Sequence, residues 1–220
     1  MANLILIDGP PGVGKSTLAT QLGSDLPSYR LLHEMAPDHP LHPVAVGSIG
    51  ADFGELRDMN VVDLGDLLLR KWEAFLTEAQ DQPFILESYP YQSHLRVLWQ
   101  MNATEPMLFE WLHKLHQMLE AHRLCLVMLH FGGNAKRLKQ VYDERGQAWM
   151  DFIIGFVCST PYGEANGLRG YEGAMKFLEA YNAVLRGWCA NWPFAKIELE
   201  AWSGSPADQS DEIVRKLKSF

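Results

Sequence analysis

The chain has 220 residues, of which 47% are hydrophobic and 21% are charged, a balance typical of a soluble globular protein of one domain. The formal net charge of −8 disfavours nucleic acid as a partner, because an acidic surface repels phosphate backbones. The longest apolar runs, near residues 124–129 and 152–158, are too short to span a bilayer. We therefore expect a single domain with neither a nucleic-acid partner nor a membrane span.

Two further features concern the cellular compartment. The chain opens directly on a strand-like segment, without the basic and apolar regions of a signal peptide. Cys125, Cys158 and Cys189 are odd in number and far apart, which fits reduced thiols better than a disulfide framework or a metal site. These features predict a cytoplasmic protein.

A glycine-rich segment follows the apolar residues 3–8 and precedes a helix-forming segment. It matches the pattern G-x-x-x-x-G-K-[ST] in the strand–loop–helix context that this phosphate-binding loop, or P-loop, requires. Its glycines allow backbone amides to surround a pyrophosphate, while Lys15 reaches the β and γ phosphates and Ser16 binds Mg²⁺. The sequence therefore predicts a site for a nucleoside triphosphate with Mg²⁺. The residues expected to bind it are Gly9, Pro10, Pro11, Gly12, Val13, Gly14, Lys15, Ser16 and Thr17.

The rest of the chain alternates between strand-like and helix-like segments. Further strands are predicted at residues 29–34, 83–87, 124–131 and 195–199. Helices are predicted at residues 61–80, 92–101, 105–122, 147–159, 171–188 and 208–220, with the fourth of them buried and an exposed loop at 160–167. This alternation predicts an α/β fold of the P-loop NTPase type, with a five-stranded parallel sheet and helices on both faces.

Two segments are expected to cover the site. Residues 35–60 carry enough Pro and Gly to interrupt helices and strands, so we expect a long loop that covers an acceptor. Residues 132–147 are polar and cationic, and they predict a helical lid. Arg137 and Arg145 in this lid are candidates for holding the triphosphate and offsetting charge in the transition state, with Lys136 and Lys139 as alternatives.

Two predicted strands end on a carboxylate, Glu34 after the second strand and Glu87 after the third. Ligands of such sheets bind beyond the carboxyl ends of the strands, which places both residues near the P-loop. Glu34 is a candidate for orienting or deprotonating an acceptor hydroxyl. Glu87 is a candidate for holding Mg²⁺ through water, or for acting as the base in place of Glu34. The sequence leaves open which of the two is the base.

Together these features resemble P-loop kinases of the nucleoside and nucleotide kinase type, closest in pattern to deoxynucleoside kinases and thymidylate kinases. The resemblance rests on the segment from Asp8 to Thr17, on Glu34, and on Glu87-Ser88 followed by Arg96. It implies that Glu34 acts toward a sugar hydroxyl and that Glu87 serves the metal and the phosphate donor. The sequence departs from the family pattern where Ser88 follows Glu87 directly, without the usual Arg. Arg96 is a candidate for contacting either phosphate or acceptor.

The resemblance implies a Mg²⁺-dependent kinase that transfers the γ-phosphoryl group of ATP to a small molecule, a nucleoside or a nucleotide. An antibiotic- or sugar-like acceptor is an alternative on the same fold, and a regulatory ATPase is an alternative of another class. The Arg-poor lid and the missing Arg after Glu87 favour an acceptor without its own phosphate. The sequence leaves open the choice between ATP and GTP and whether the protein forms a homodimer.

Aromatic residues near the predicted strand ends have two interpretations. Their spacing is that of core residues, and their location would also allow a planar acceptor to stack on them. These residues are Phe53, Trp72, Tyr89, Tyr91 and Trp99.

Overall fold

The computed structural model describes residues 2–43, 56, 59–131 and 135–219, with the backbone alone for residues 135–138. Within these ranges, strands pair in parallel into one sheet of order β2-β3-β1-β4-β5. The strands are β1 Leu4–Asp8, β2 Arg30–Leu32, β3 Phe84–Glu87, β4 Leu124–His130 and β5 Ala195–Glu200. The predicted five-stranded parallel sheet is confirmed.

The central strand explains why the sheet needs a cover on both faces. Every residue of β1 is buried. Leu4 and Leu6 pack into one hydrophobic cluster, whereas Ile5 and Ile7 pack into the other. Side chains alternate between the faces of a strand, so a continuous apolar run is stable only where helices shield both faces.

Helices supply this cover. They are α1 Lys15–Asp25, α2 Val61–Glu78, α3 Arg96–Gln100 after a π-helical turn at Tyr91–Leu95, α4 Glu105–Leu119, α5 Ala135–Glu144, α6 Gln147–Cys158, α7 Pro161–Ala165, α8 Gly170–Ala190 and α9 Pro206–Leu217. Helices α1 and α9 contribute to the cluster of Ile5 and Ile7, whereas α2, α4 and α8 contribute to the cluster of Leu4 and Leu6. The predicted helices on both faces are confirmed.

Three local predictions were wrong. The exposed loop predicted at 160–167 contains the helix α7, because the Thr160 side chain caps it by accepting a hydrogen bond from the Gly163 amide. Helix α6 was predicted to be buried, but Phe152 on it is 39% exposed because this face borders a cavity. Strand β2 ends at Leu32, so Glu34 lies two residues beyond the strand.

The segments expected to cover the site are described in part. Of the loop predicted at 35–60, residues 44–55 and 57–58 lie outside the described residues, whereas Leu41 and Leu56 are buried. Of the lid predicted at 132–147, residues 132–134 lie outside them and α5 forms most of the remainder. No described helix has both the length and the apolar character that crossing a membrane requires.

Candidate active site

The P-loop connects β1 to the first residue of α1, Lys15. Gly9 has a φ of 147°, and a Cβ atom there would lie 2.5 Å from the carbonyl oxygen of Leu129, so the loop can pass β4 only with glycine at this position. Gly14 has a φ of 94° and precedes α1 directly. The loop thus leads into the N-terminus of a helix, whose free amides and partial positive charge favour phosphate.

Lys15 lies buried inside this loop. Its ammonium group donates hydrogen bonds to the carbonyl oxygens of Gly9 (3.0 Å) and Pro10 (2.9 Å) and to the side-chain oxygen of Gln92 (2.5 Å). Burial lowers the pKa of Lys15, whereas the nearby carboxylates of Glu34 and Asp8 raise it. The predicted phosphate-binding cation is therefore held within the loop by three oxygen acceptors.

Asp8, at the end of β1, connects the P-loop to the turn that follows β3. Its buried carboxylate accepts hydrogen bonds from the amides of Gly9 (2.7 Å), Tyr91 (2.7 Å) and Gln92 (3.2 Å). Burial raises the pKa of Asp8 to about 7, against an opposing effect of Lys15. These hydrogen bonds fix the position of Gln92 relative to Lys15.

Glu87 lies next to the P-loop serine. The Ser16 hydroxyl donates a 2.5 Å hydrogen bond to one oxygen of Glu87, and the Nδ1 atom of His33 lies 2.8 Å from the other. Glu87 is buried, whereas Ser16 faces the cavity. A hydroxyl and a carboxylate side by side are the hard oxygen ligands that Mg²⁺ uses together with phosphates and water. The residues present thus fit the predicted Mg²⁺ site.

Glu34 is oriented by two side chains that the sequence analysis did not single out. One carboxylate oxygen accepts a 2.7 Å hydrogen bond from the amide nitrogen of Gln92, and the other accepts a 2.8 Å bond from the Ser93 hydroxyl. Both residues belong to the π-helical turn that Asp8 caps. One feature of the sequence could have indicated Gln92 and Ser93. They follow Glu87 closely, at a point where the chain passes the P-loop again.

A cavity of about 770 Å³ extends from the P-loop past both carboxylates. Its volume is that of a small-molecule site. Its polar lining includes Lys15, Ser16, Thr17, His33, Glu34, Glu87, Gln92 and Ser93. Its apolar lining includes Met35, Pro43, Leu56, Val97, Trp149, Phe152, Ile153 and Phe156. The structure therefore brings Glu34, Glu87 and most of the predicted P-loop residues to one cavity, whereas Val13 packs into the core.

Two arginines border this cavity. Arg96 is buried, its Nε atom donates to the Gln92 carbonyl oxygen (2.7 Å), and its guanidinium group lies 4.7 Å from the ring centre of Phe156. Burial lowers the pKa of Arg96. Arg145 is exposed and lies 4.9 Å from the ring centre of Trp149. The side chain of Arg137 lies outside the described residues.

Helix α5, predicted as the lid, contacts the P-loop directly. The Tyr142 hydroxyl donates a 3.0 Å hydrogen bond to the carbonyl oxygen of Pro11, and its ring stacks on Trp149 at 5.0 Å. Tyr142 is buried between the two. This contact also holds Arg145, which was predicted as a cation of the lid, at the edge of the cavity.

For the described aromatic residues near the strand ends, the interpretation as core residues is confirmed. Trp72, Tyr89 and Tyr91 are buried in the core, and Trp99 packs against Phe177, while Phe53 lies outside the described residues. The aromatic rings that line the cavity come from α6. We call the face of this helix formed by Trp149, Phe152, Ile153 and Phe156 the α6 wall. The sequence analysis missed this wall because α6 itself carries apolar residues on most of its sides, which hides its helical period.

Comparisons with known proteins place the fold. The YorR protein of Bacillus subtilis, in complex with phosphorylated GDP, is similar over 98% of this chain and 95% of its own, with a TM-score of 0.60 and 15% identity. Deoxyadenosine kinase of M. mycoides with bound dATP covers 98% of each chain, with a TM-score of 0.54 and 15% identity. Shikimate kinase of Acinetobacter baumannii covers 98% of this chain and 93% of its own, with a TM-score of 0.55 and 14% identity.

No family model and no curated protein matches the sequence. The similar structures nevertheless include P-loop kinases that span nearly the whole chain, so the predicted P-loop fold and its resemblance to these kinases are confirmed. At such low identity the structures share the fold with this chain, and the reaction has to be argued from its own residues.

Proposed function

We propose that the protein is a Mg²⁺-dependent kinase that transfers the γ-phosphoryl group of ATP to a hydroxyl of a small molecule. The observation that carries this proposal is the pair of hydrogen bonds through which Gln92 links Lys15 to Glu34. Phosphoryl transfer depends on positioning and electrostatics, and here a phosphate-binding cation and an acceptor-side carboxylate border one cavity.

On the donor side, the P-loop amides and Lys15 bind the β and γ phosphates. The Lys15 ammonium exchanges one of its carbonyl contacts, with Gly9 or Pro10, for a phosphate oxygen, which is the stronger acceptor because it carries a charge. Ser16 and Glu87 hold Mg²⁺, which supplies charge compensation on the triphosphate when it is bound. Arg137 and Arg145 remain candidate cations of the lid. Arg96 adds a buried cation on the cavity side.

On the acceptor side, we assign the base to Glu34. Glu87 is engaged by the Ser16 hydroxyl and His33, and its contact with the P-loop serine supports a role toward the phosphate donor. In the described part of the chain, the Glu34 carboxylate accepts hydrogen bonds from Gln92 and Ser93, and Glu34 lines the cavity. It accepts the proton of the attacking hydroxyl as the oxygen–phosphorus bond forms and the bond to the ADP oxygen breaks.

The acceptor implied by the resemblance is a nucleoside or nucleotide, and deoxyadenosine kinase among the similar structures supports it. Shikimate kinase among them supports the alternative of another small hydroxyl compound. The continuation of the cavity beyond the P-loop favours either of these over a regulatory ATPase. A cytoplasmic location, where ATP and reduced thiols are available, is part of the proposal.

The direct test is incubation of the purified chain with Mg²⁺ and ATP labelled at the γ-phosphate, against nucleosides, nucleotides, polyols and aminoglycosides. Label transfer to an acceptor supports the proposal, and hydrolysis alone with every acceptor would favour the regulatory ATPase. Lys15→Ala should abolish transfer. Lys114→Ala is the matched control, because Lys114 is an exposed lysine paired with Glu110 on α4.

A further inference from the structure

The two carboxylate oxygens of Glu87 have different surroundings. Oε1 accepts the 2.5 Å hydrogen bond of the Ser16 hydroxyl, which belongs to the P-loop. Oε2 lies 2.8 Å from the Nδ1 atom of His33 and 3.4 Å from the backbone nitrogen of Glu34. The first oxygen therefore faces the phosphate site, whereas the second is held by the segment that follows β2.

His33 is the nearer of the two partners of Oε2. Because an ionised carboxylate only accepts hydrogen bonds, Nδ1 carries the hydrogen and donates to Oε2. The amide of Glu34, at 3.4 Å, adds a weaker contact. The Glu87 side chain is only 5% exposed, and a buried carboxylate is stable only with hydrogen-bond partners. Among the residues that the structure describes, His33 is the main support of Oε2.

The contacts of the two oxygens differ in what they do when the metal site is filled. Ser16 is itself an expected ligand, so its hydroxyl oxygen turns to the metal and supports Glu87 less. His33 lies on the other oxygen, and its ring borders the cavity from the β2 side, so its hydrogen bond is compatible with a filled site. Side chains that orient a ligating carboxylate in this way raise the affinity for the metal.

We propose that His33 is a positioning residue of the Mg²⁺ site. Its hydrogen bond to Oε2 keeps Oε1 of Glu87 turned toward Ser16, where Oε1 serves the metal directly or through water. This proposal rests on the proposed function for the identity of the metal and of the nucleotide. Because His33 acts through Glu87, its loss should weaken binding of the metal and leave the contacts between the P-loop and the phosphates unchanged.

The experiment measures binding of adenylyl imidodiphosphate, an ATP analogue that resists hydrolysis, by calorimetry in EDTA and in Mg²⁺. The tightening of nucleotide binding between the two conditions reports the metal. His33→Phe keeps a ring and His33→Ala removes it, and both lack the donor. The tightening should fall by about tenfold in each, while binding in EDTA changes by less than about threefold.

Two further variants complete this comparison. His33→Asn should retain most of the tightening, because its amide nitrogen can donate from nearly the position of Nδ1. His113→Phe, at an exposed position of α4, is the matched control and should bind like the wild type. In a Glu87→Gln background, His33→Phe should change the tightening by less than about twofold, because both substitutions act through the same carboxylate.

The outcomes separate this proposal from the kinase proposal. Full tightening in His33→Phe and His33→Ala, an equal loss in His33→Asn, or additive losses in the double variant would overturn the role of His33. Equal binding by the wild type in EDTA and in Mg²⁺ would overturn it together with the metal assignment. Tightening that depends on His33, in a protein that transfers no label from ATP to any acceptor, would support the role of His33 and contradict the kinase proposal alone.

Discussion

Lys15 and Gln92, 77 residues apart in the sequence, are joined by a hydrogen bond of 2.5 Å between the ammonium group and the side-chain oxygen. The nitrogen of the same amide donates to Glu34. Because an amide has one accepting and one donating end, Gln92 can hold a cation and a carboxylate at the same time. The position of the acceptor-side carboxylate is thus coupled to the phosphate-binding lysine.

This coupling predicts the effect of Gln92→Met, which keeps the length of the side chain and removes both polar atoms. Glu34 should lose its orientation, so kcat should fall by about 10- to 100-fold while the KM for ATP changes by less than about threefold. Gln117→Met on the exposed surface of α4 is the control. Steady-state kinetics with ATP varied check this, and a normal kcat would show that Gln92 does not position the base.

The two carboxylates should respond differently to amide substitution. Glu34→Gln should lower kcat by about 100-fold or more and leave ATP binding nearly unchanged, since a general base contributes on that scale. Glu87→Gln should instead raise the Mg²⁺ concentration needed for half-maximal rate. Glu110→Gln, at an exposed position of α4, should change neither value. Kinetics with Mg²⁺ varied distinguish the two roles, and full turnover in both variants would refute them.

Tyr142 offers a test of the contact between α5 and the P-loop. Tyr142→Phe removes the hydroxyl that donates to the Pro11 carbonyl oxygen and keeps the ring stacked on Trp149. We expect the KM for ATP to rise by about three- to tenfold, because a hydrogen bond of about 1 kcal/mol no longer steadies the loop. The comparison is Tyr162→Phe on α7. Equal KM values in both variants would contradict a role of this contact.

Stability should fall on acidification because of His94. This residue is fully buried, with Nδ1 accepting from the Trp72 indole (3.0 Å) and Nε2 donating to the Leu41 carbonyl oxygen (2.7 Å), and burial lowers its pKa to about 3. The unfolded chain binds a proton at His94 below about pH 6.5, whereas the folded chain binds it only near pH 3. Between these values, each unit of acidification lowers the free energy of unfolding by up to about 1.4 kcal/mol.

The measurement for His94 is urea unfolding at pH 7, 6, 5 and 4. His94→Gln should be less stable than the wild type at pH 7, since a core side chain is altered, but it should lose less stability on acidification. His113→Gln, at an exposed position of α4, should follow the wild-type pH dependence. Parallel curves for His94→Gln and the wild type would refute the assignment.

The fold was predictable because its signals are local. The P-loop pattern between a strand and a helix, and buried runs such as β1 and β4, depend on neighbours in the sequence. The positions of Glu34 and Glu87 at one edge followed from parallel strand order. Their relationship to Lys15 did not, because it depends on Asp8 capping the turn after β3, a contact across 83 residues.

The acceptor side was the least predictable part. Helix α6 reads as a buried helix because its composition is apolar, and only the tertiary arrangement shows that one face borders a cavity. Trp72 and Tyr89, which the sequence allowed either in the core or against an acceptor, are fully buried in the core. Hydrophobic composition identifies residues that leave water, but it does not distinguish contact with the core from contact with a ligand.

The central claim is that one cavity brings a triphosphate to an acceptor hydroxyl activated by Glu34. Single-turnover transfer of the γ-phosphoryl group from labelled ATP, compared between the wild type and Glu34→Gln at equal ATP saturation, tests it most directly. The account predicts labelled acceptor with the wild type and a transfer rate lower by about 100-fold or more with Glu34→Gln. Equal transfer rates in the two proteins, or label found only in inorganic phosphate, would contradict it.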